Sequence, residues 1–392
     1  MTDRSFHPPV RALMGPGPSD LHPRVREALT RPLIGHLDPA CIDLMNGIHD
    51  LLQYAFQTKN EFTVAVSGPG TLGMETCFAN LVEPGEKVVV CQNGFFGGRM
   101  KEMAERYGGK VILIEDMWGT PITPDKLASV LKADPEIKSV AFVHAETSTG
   151  VLSDVKVLVD IAHSHGCLTI VDAVTSLGGV ALKMDEWGID AVYSGSQKCL
   201  ASIPGLSPLS FSPSAVEKSR KRKSKTSNWF LDINMLINYW LGAKRAYHHT
   251  APVHSFYALH EALVILSDEG LENAWARHRK HHEALKAGLE AMGLELLGEE
   301  SSRLPQLNAV VIPDGIEDVK VRSELLNSFG IEIGGGLGAF AGKIWRIGLM
   351  GYGCNMKNIT LCLAALESVL GGMHANIRKG AAVTAAAERV GQ

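Results

Sequence analysis

Lys198 sits in the stretch "YSGSQKCLASIPGLS", after small hydroxyl and glycine residues and before a Gly/Pro loop. An ammonium in such surroundings is costly unless something compensates it. Asp172 ends the apolar run "LTIVD" 26 residues earlier, and the intervening "DAVYSGS" reads as the next strand. An acid at one strand end and an amine past the following strand can face one cleft, where open parallel sheets bind ligands. Pyridoxal phosphate needs this pair. A carboxylate keeps the pyridine nitrogen protonated so that the ring draws electrons, and a lysine forms the Schiff base and later carries the proton. Taken singly, Asp172 also reads as a turn or helix-cap residue and Lys198 as a surface charge; it is the pairing that points to the cofactor.

A third signal is "VAVSGPGTLGMETCFANLV", a glycine-rich turn between a strand and a helix. Free N–H groups at such a helix start, together with its dipole, suit a phosphate.

The elements that must position these groups alternate. "KVVVCQ", "KVILIED", "SVAFVHA", "LTIVDAV" and "DAVYSGS" read as buried strands, with helical stretches at 97–107, 123–131 and 155–165 between them. That pattern predicts βαβ units and a mainly parallel sheet, an α/β fold. Residues 254–293 predict a long helix interrupted near Gly270. Beyond it, "NAVVIP" and "KIWRIGLMG" read as strands and 359–370 as a closing helix. The division expected is an arm over 1–16, a large domain over 17–270, a smaller α+β domain over 271–375, and a tail over 376–392 that reads as a frayed helix.

The chain has 392 residues, 45% hydrophobic, with a formal net charge of −4. This length supports two domains, and the charge disfavours a nucleic-acid or membrane-surface binder. The basic run "KSRKRKSK" (218–225) reads as a solvated loop. Seven scattered cysteines, never spaced as CxxC, fit a reducing compartment and no structural zinc. With no apolar leader or 18-residue apolar run, a cytoplasmic protein is expected. In "HRKHH", His278 and His282 share a helix face without a third ligand, so an exposed polar helix is expected and no metal. "GIEIGGGLGAF" lacks the spacing and the later acid of a dinucleotide loop.

The chain resembles the class V aminotransferases of the alanine–glyoxylate and serine–glyoxylate type, pyridoxal-phosphate enzymes of fold type I. The likeness runs colinearly over nearly the whole chain: "MGPGPSDLHPRV", "SGPGTLGMETCFANLVEPGEKV", "HAETSTGVL", "VDAVTSLGG", "YSGSQKCL", "AYHHTAPV", "GLENAWARHR" and "GKIWRIGLMGYG". It implies a Schiff base at Lys198, Asp172 at the pyridine nitrogen, and Gly70, Thr71 and Gln197 at the phosphate. It places Thr147 beside the ring hydroxyl, and sends Tyr247 and Thr250 to the phosphate of a second subunit, hence a homodimer with shared active sites. Phe96 stands where relatives often carry a tryptophan stacked on the ring; a stacking role and plain core packing both remain open.

Arg346 matches the residue that holds the substrate carboxylate, which a planar guanidinium does through two parallel hydrogen bonds. An internal ion pair is the other reading. Gly17 fits close backbone approach to a substrate. Gly35 and His36 fall, by the resemblance, at the entrance of the neighbouring site; His36 either meets a polar donor or is structural. One carboxylate clamp and no evident second arginine suggest a ping-pong transaminase that takes a small donor, alanine or serine, with glyoxylate as acceptor. The alternative is ureidoglycine–glyoxylate transamination, whose enzymes share "TSTG", "SQKCL" and an Asn in the context of Asn228 but usually have glutamine at position 36. A hydroxykynurenine or phosphonate transaminase is a further reading.

Overall fold

A computed structural model describes residues 5–242 and 245–391. Its largest sheet has seven strands in the order Phe62–Ser67, Leu206–Phe211, Ala191–Tyr193, Leu168–Asp172, Ile137–Val143, Lys87–Gln92, Lys110–Glu115. The last five pair in parallel through helical crossovers. Apolar, β-branched runs such as "KVVVCQ" suit them, because helices cover both faces of a parallel sheet. Their carboxyl ends converge at one edge, where Asp172 ends its strand.

Leu206–Phe211, which the sequence reading missed, runs antiparallel to both its neighbours. Pro208 disguises it, since proline withholds a ladder donor. On one side Ala191–Tyr193 has ended opposite Pro208, whose carbonyl accepts from the Ser194 N–H at 2.7 Å, and strand pairing there begins only at Leu209.

Two cores form. One, from Cys41 to Ala274, packs helices against the large sheet. The other centres on Trp345, Ile347, Leu289 and Leu366. It joins the antiparallel strands Leu307–Val311, Ile344–Gly348 and Gly334–Gly335 to the helices Leu271–Met292 and Met356–Gly372. The long helical stretch breaks at Gly270 (φ 85°) into Val253–Glu269 and Leu271–Met292. Ala12–Leu13 pairs in parallel with Ile331–Glu332, so Met14, from the expected arm, is buried in the second core.

Three surface expectations are corrected. The tail forms the helix Ala382–Gly391, and Ala382 and Ala386 are buried rather than frayed. Gly288 makes the room, since a Cβ there would lie 2.9 Å from the Ala382 carbonyl oxygen. His278 and His282 face the interior: His278 Nε2 accepts from the Gly351 N–H at 3.1 Å, and His282 Nδ1 lies 2.6 Å from Asn308 Oδ1. The basic run is partly tied down, with Lys218 paired to Glu86 and Arg222 donating to the carbonyls of Asn80 and Val82. Among the described residues no cluster fits a metal ion, and no helix is long and apolar enough to cross a membrane.

Candidate active site

At the carboxyl edge of the large sheet lies a cavity of about 220 Å³ lined by Gly70, Thr71, Phe96, Arg99, Thr147, Asp172, Gln197 and Lys198, among others. A larger, more apolar cavity lies behind Cys199, but the ionisable and phosphate-loop groups gather in the smaller one.

Asp172 is buried, and both its oxygens are held: Oδ1 accepts from the Val174 N–H (2.8 Å) and Oδ2 from the Tyr193 hydroxyl (2.7 Å). Burial pushes its carboxyl up to about 6, against the pull of those donors. Tyr193 stands directly opposite Asp172 on the next strand. The turn that follows carries Lys198 into the same space. There its amine donates to the Pro16 carbonyl, and its carbonyl accepts from Ser19 Oγ. Desolvation pulls the amine down to about 8, with the neighbouring Arg346 charge adding to the fall. Gly17 (φ 104°) presses its backbone on the lysine; a Cβ there would meet Lys198 Nζ at 2.6 Å.

Gly70 and Thr71 open the helix Gly70–Leu81, whose start has no side-chain cap, leaving it free for an anion. Gln197 has a buried Oε1 with no protein partner. Phe96, on the helix Phe95–Arg106, is half-buried against the cavity. Thr147 is buried, and its carbonyl accepts from Arg346 Nη1 at 3.3 Å. Arg346 is 7% exposed and also donates through Nε to Gly335 O (2.8 Å); among the described residues no carboxylate forms an ion pair with it. Burial pulls this guanidinium down to about 10. A desolvated guanidinium that feels the Glu146 charge but forms no ion pair with a carboxylate among the described residues is prepared to take one from outside.

These features fit pyridoxal phosphate: an acid braced to face a ring nitrogen, an uncapped helix start, an orphaned amide oxygen and an amine with a lowered proton affinity. Gly17 and Arg346 stand beside this cavity, against Lys198 and Thr147, whereas Gly35, His36, Tyr247 and Thr250 lie apart from it. Gly35 is exposed, while His36 and Tyr247 border a separate cavity, their rings 5.5 Å apart. Tyr247, 66% exposed, has its hydroxyl 3.4 Å from Thr250 Oγ1. Asn228, singled out for the alternative donor, caps the turn Trp229–Leu231 by accepting from the Phe230 N–H.

The model of the family described as "Aminotransferase class-V" matches residues 28–350. The chain belongs to that family. It is a pyridoxal-phosphate-dependent aminotransferase of fold type I. The alanine–glyoxylate aminotransferase of Callithrix jacchus is 40% identical over 365 residues, covering 92% of this chain and 88% of the relative. A solved Nostoc sp. alanine–glyoxylate aminotransferase is 46% identical with a TM-score of 0.92, covering 94% of this chain and 98% of that one. The ureidoglycine–glyoxylate aminotransferase of Bacillus subtilis is 39% identical with a TM-score of 0.97, covering 99% and 100%.

Tyr193, Arg99 and Glu146 were not identified from the sequence. Tyr193 was legible as the cross-strand neighbour of Asp172. Arg99 was legible as the residue one helical turn after Phe96, three positions on. It sits at the phosphate loop, donating to Thr71 Oγ1 at 3.3 Å with its guanidinium carbon 5.1 Å from the Phe96 ring centre. Glu146 carried no spacing signal.

Proposed function

We propose that this aminotransferase moves the amino group of a small amino acid, alanine or serine, to glyoxylate by a ping-pong cycle, releasing a 2-oxo acid and then glycine. The observation that carries this is one cavity lined by Lys198 and Asp172, with Arg346 beside it, its Nη1 on the carbonyl of the lining residue Thr147 and its charge felt by Lys198. When bound, pyridoxal phosphate supplies the electron sink that makes loss of the Cα proton possible.

The chain's own residues do the rest. Arg346 binds the carboxylate of donor and acceptor in turn, in the planar two-bond manner of a guanidinium. Lys198 Nζ removes the Cα proton, and its lowered proton affinity enlarges the fraction of free amine near neutral pH and makes it the major form above about 8. Asp172, braced by Tyr193 and the Val174 N–H, presents a fixed negative charge to the ring nitrogen. Gly70, Thr71 and Gln197 would hold the phosphate, and Phe96 and Thr147 would line the space for the ring. Gly17, with no Cβ, leaves room for the Lys198 side chain. Tyr247 and Thr250, with Gly35 and His36 at the entrance, complete the site of a second copy of the chain in a homodimer.

(S)-Ureidoglycine as donor is the second reading, supported by the near-complete superposition on the Bacillus subtilis enzyme. A donor panel with glyoxylate, following loss of each amino compound and gain of glycine, separates the two. Alanine or serine turning over fastest supports the first reading. Turnover with ureidoglycine alone supports the second, and no glycine from any donor contradicts both.

A further inference from the structure

Glu146 is fully buried on the short strand Ala145–Glu146. Its Oε1 accepts from the Ser148 N–H (3.0 Å) and hydroxyl (2.7 Å), and its Oε2 from the Phe96 N–H (3.2 Å). Ser148 Oγ in turn accepts from the Phe95 N–H at 2.9 Å. Together they cap the first turn of Phe95–Arg106, the helix that carries Phe96 and Arg99 into the cavity. Gly94 fits closely against the carboxyl: a Cβ there would lie 2.4 Å from Glu146 Cγ.

All the direct donors to this carboxyl are neutral. The charged and titratable groups within electrostatic range are Asp172 and Tyr193 on the large sheet and Arg346 on the second sheet. Arg99 lines the cavity from the capped helix. Arg346 is tied to the same segment, because its Nη1 donates to the carbonyl of Thr147, the residue after Glu146.

We propose that Glu146 is a positioning residue that joins the ring-packing helix to the carboxylate-binding arginine, so that binding a carboxylate at Arg346 takes up a proton at Glu146. An incoming carboxylate neutralises Arg346, a buried cation coupled to the Glu146 charge, and adds a second anion beside it. Both effects shift Glu146 toward its protonated form. Burial already pushes this carboxyl up to about 7, so the exchange falls in the working pH range. The proposal rests on Arg346 being the carboxylate site.

The test titrates the holoenzyme with propionate, which lacks an amino group, by calorimetry in buffers of different ionisation enthalpy. The expected result is proton uptake on binding near pH 7, and affinity that weakens as pH rises above 7 by at most about tenfold per unit. Glu146→Gln removes the charge and is expected to bind propionate with little pH dependence and reduced uptake. Ser148→Ala keeps the charge and is expected to retain the proton linkage while loosening the cap. Uptake unchanged in Glu146→Gln, with binding still abolished by Arg346→Gln, overturns the proposal and leaves the site reading standing. Unchanged binding in Arg346→Gln overturns both.

Discussion

At the residue scale, burial holds four ionisable groups in and beside one small cavity away from their ordinary proton affinities, and each displacement has a sign. Lys198 is pulled down to about 8, so in the apoenzyme its amine is mostly protonated below that pH and mostly free above it. Only the free amine attacks an aldehyde. Stopped-flow uptake of pyridoxal phosphate by the apoenzyme is therefore expected to accelerate as pH rises to about 8 and then level off; a rate flat from pH 6 to 9 contradicts this. Glu146 is pushed up to about 7. A carboxyl whose folded value is raised contributes stability at low pH that is lost as pH climbs through about 7. Denaturant melts are expected to show Glu146→Gln gaining on the parent between pH 6 and 8, and a constant gap rules the effect out. Arg346→Lys keeps the charge but loses the planar pair of donors. Losing one charge-assisted hydrogen bond is worth about 1.5–3 kcal/mol, so KM for the donor is expected to rise roughly 10–100-fold.

At the element scale, the site depends on where a few backbone segments end. The strand end at Asp172, the uncapped start of Gly70–Leu81 and the capped start of Phe95–Arg106 each place one group against the cofactor space. The left-handed Gly17 lets the N-terminal segment touch the lysine. Gly17→Ala brings both an unfavourable φ and a Cβ 2.6 Å from Lys198 Nζ, and it is expected to cut turnover at least tenfold and to lower the melting temperature. Activity within twofold of the parent contradicts that account of Gly17. Much of this arrangement was legible beforehand, because strands buried on both faces advertise themselves as unbroken apolar runs and Asp172 and Lys198 lie at or just beyond two of them. Leu206–Phe211 was hidden by Pro208, whose missing donor matters only where a partner strand continues. Glu146 was hidden because its role comes from contacts with a helix some fifty positions earlier in the chain and a strand two hundred positions later, which no local pattern encodes. The burial of His278 and His282 was missed because their partners, Gly351 and Asn308, lie far along the chain.

At the scale of the whole molecule, Tyr247 and Thr250 are set apart from the Lys198 cavity, and the proposal assigns them to a partner's site. Mixing Lys198→Ala and Tyr247→Ala subunits after reversible dissociation tests it. A shared site gives each heterodimer one intact centre, so a random mixture is expected to recover about a quarter of the parent activity from two inactive parents. No recovery, with heterodimers demonstrated by native mass spectrometry, contradicts shared sites.

The most direct measurement is borohydride reduction of the purified holoenzyme followed by peptide mass spectrometry. Loss of the visible absorbance, with a phosphopyridoxyl group fixed on Lys198, is the expected result. A protein that takes up no pyridoxal phosphate, or that carries the group on another lysine, contradicts the account at its base.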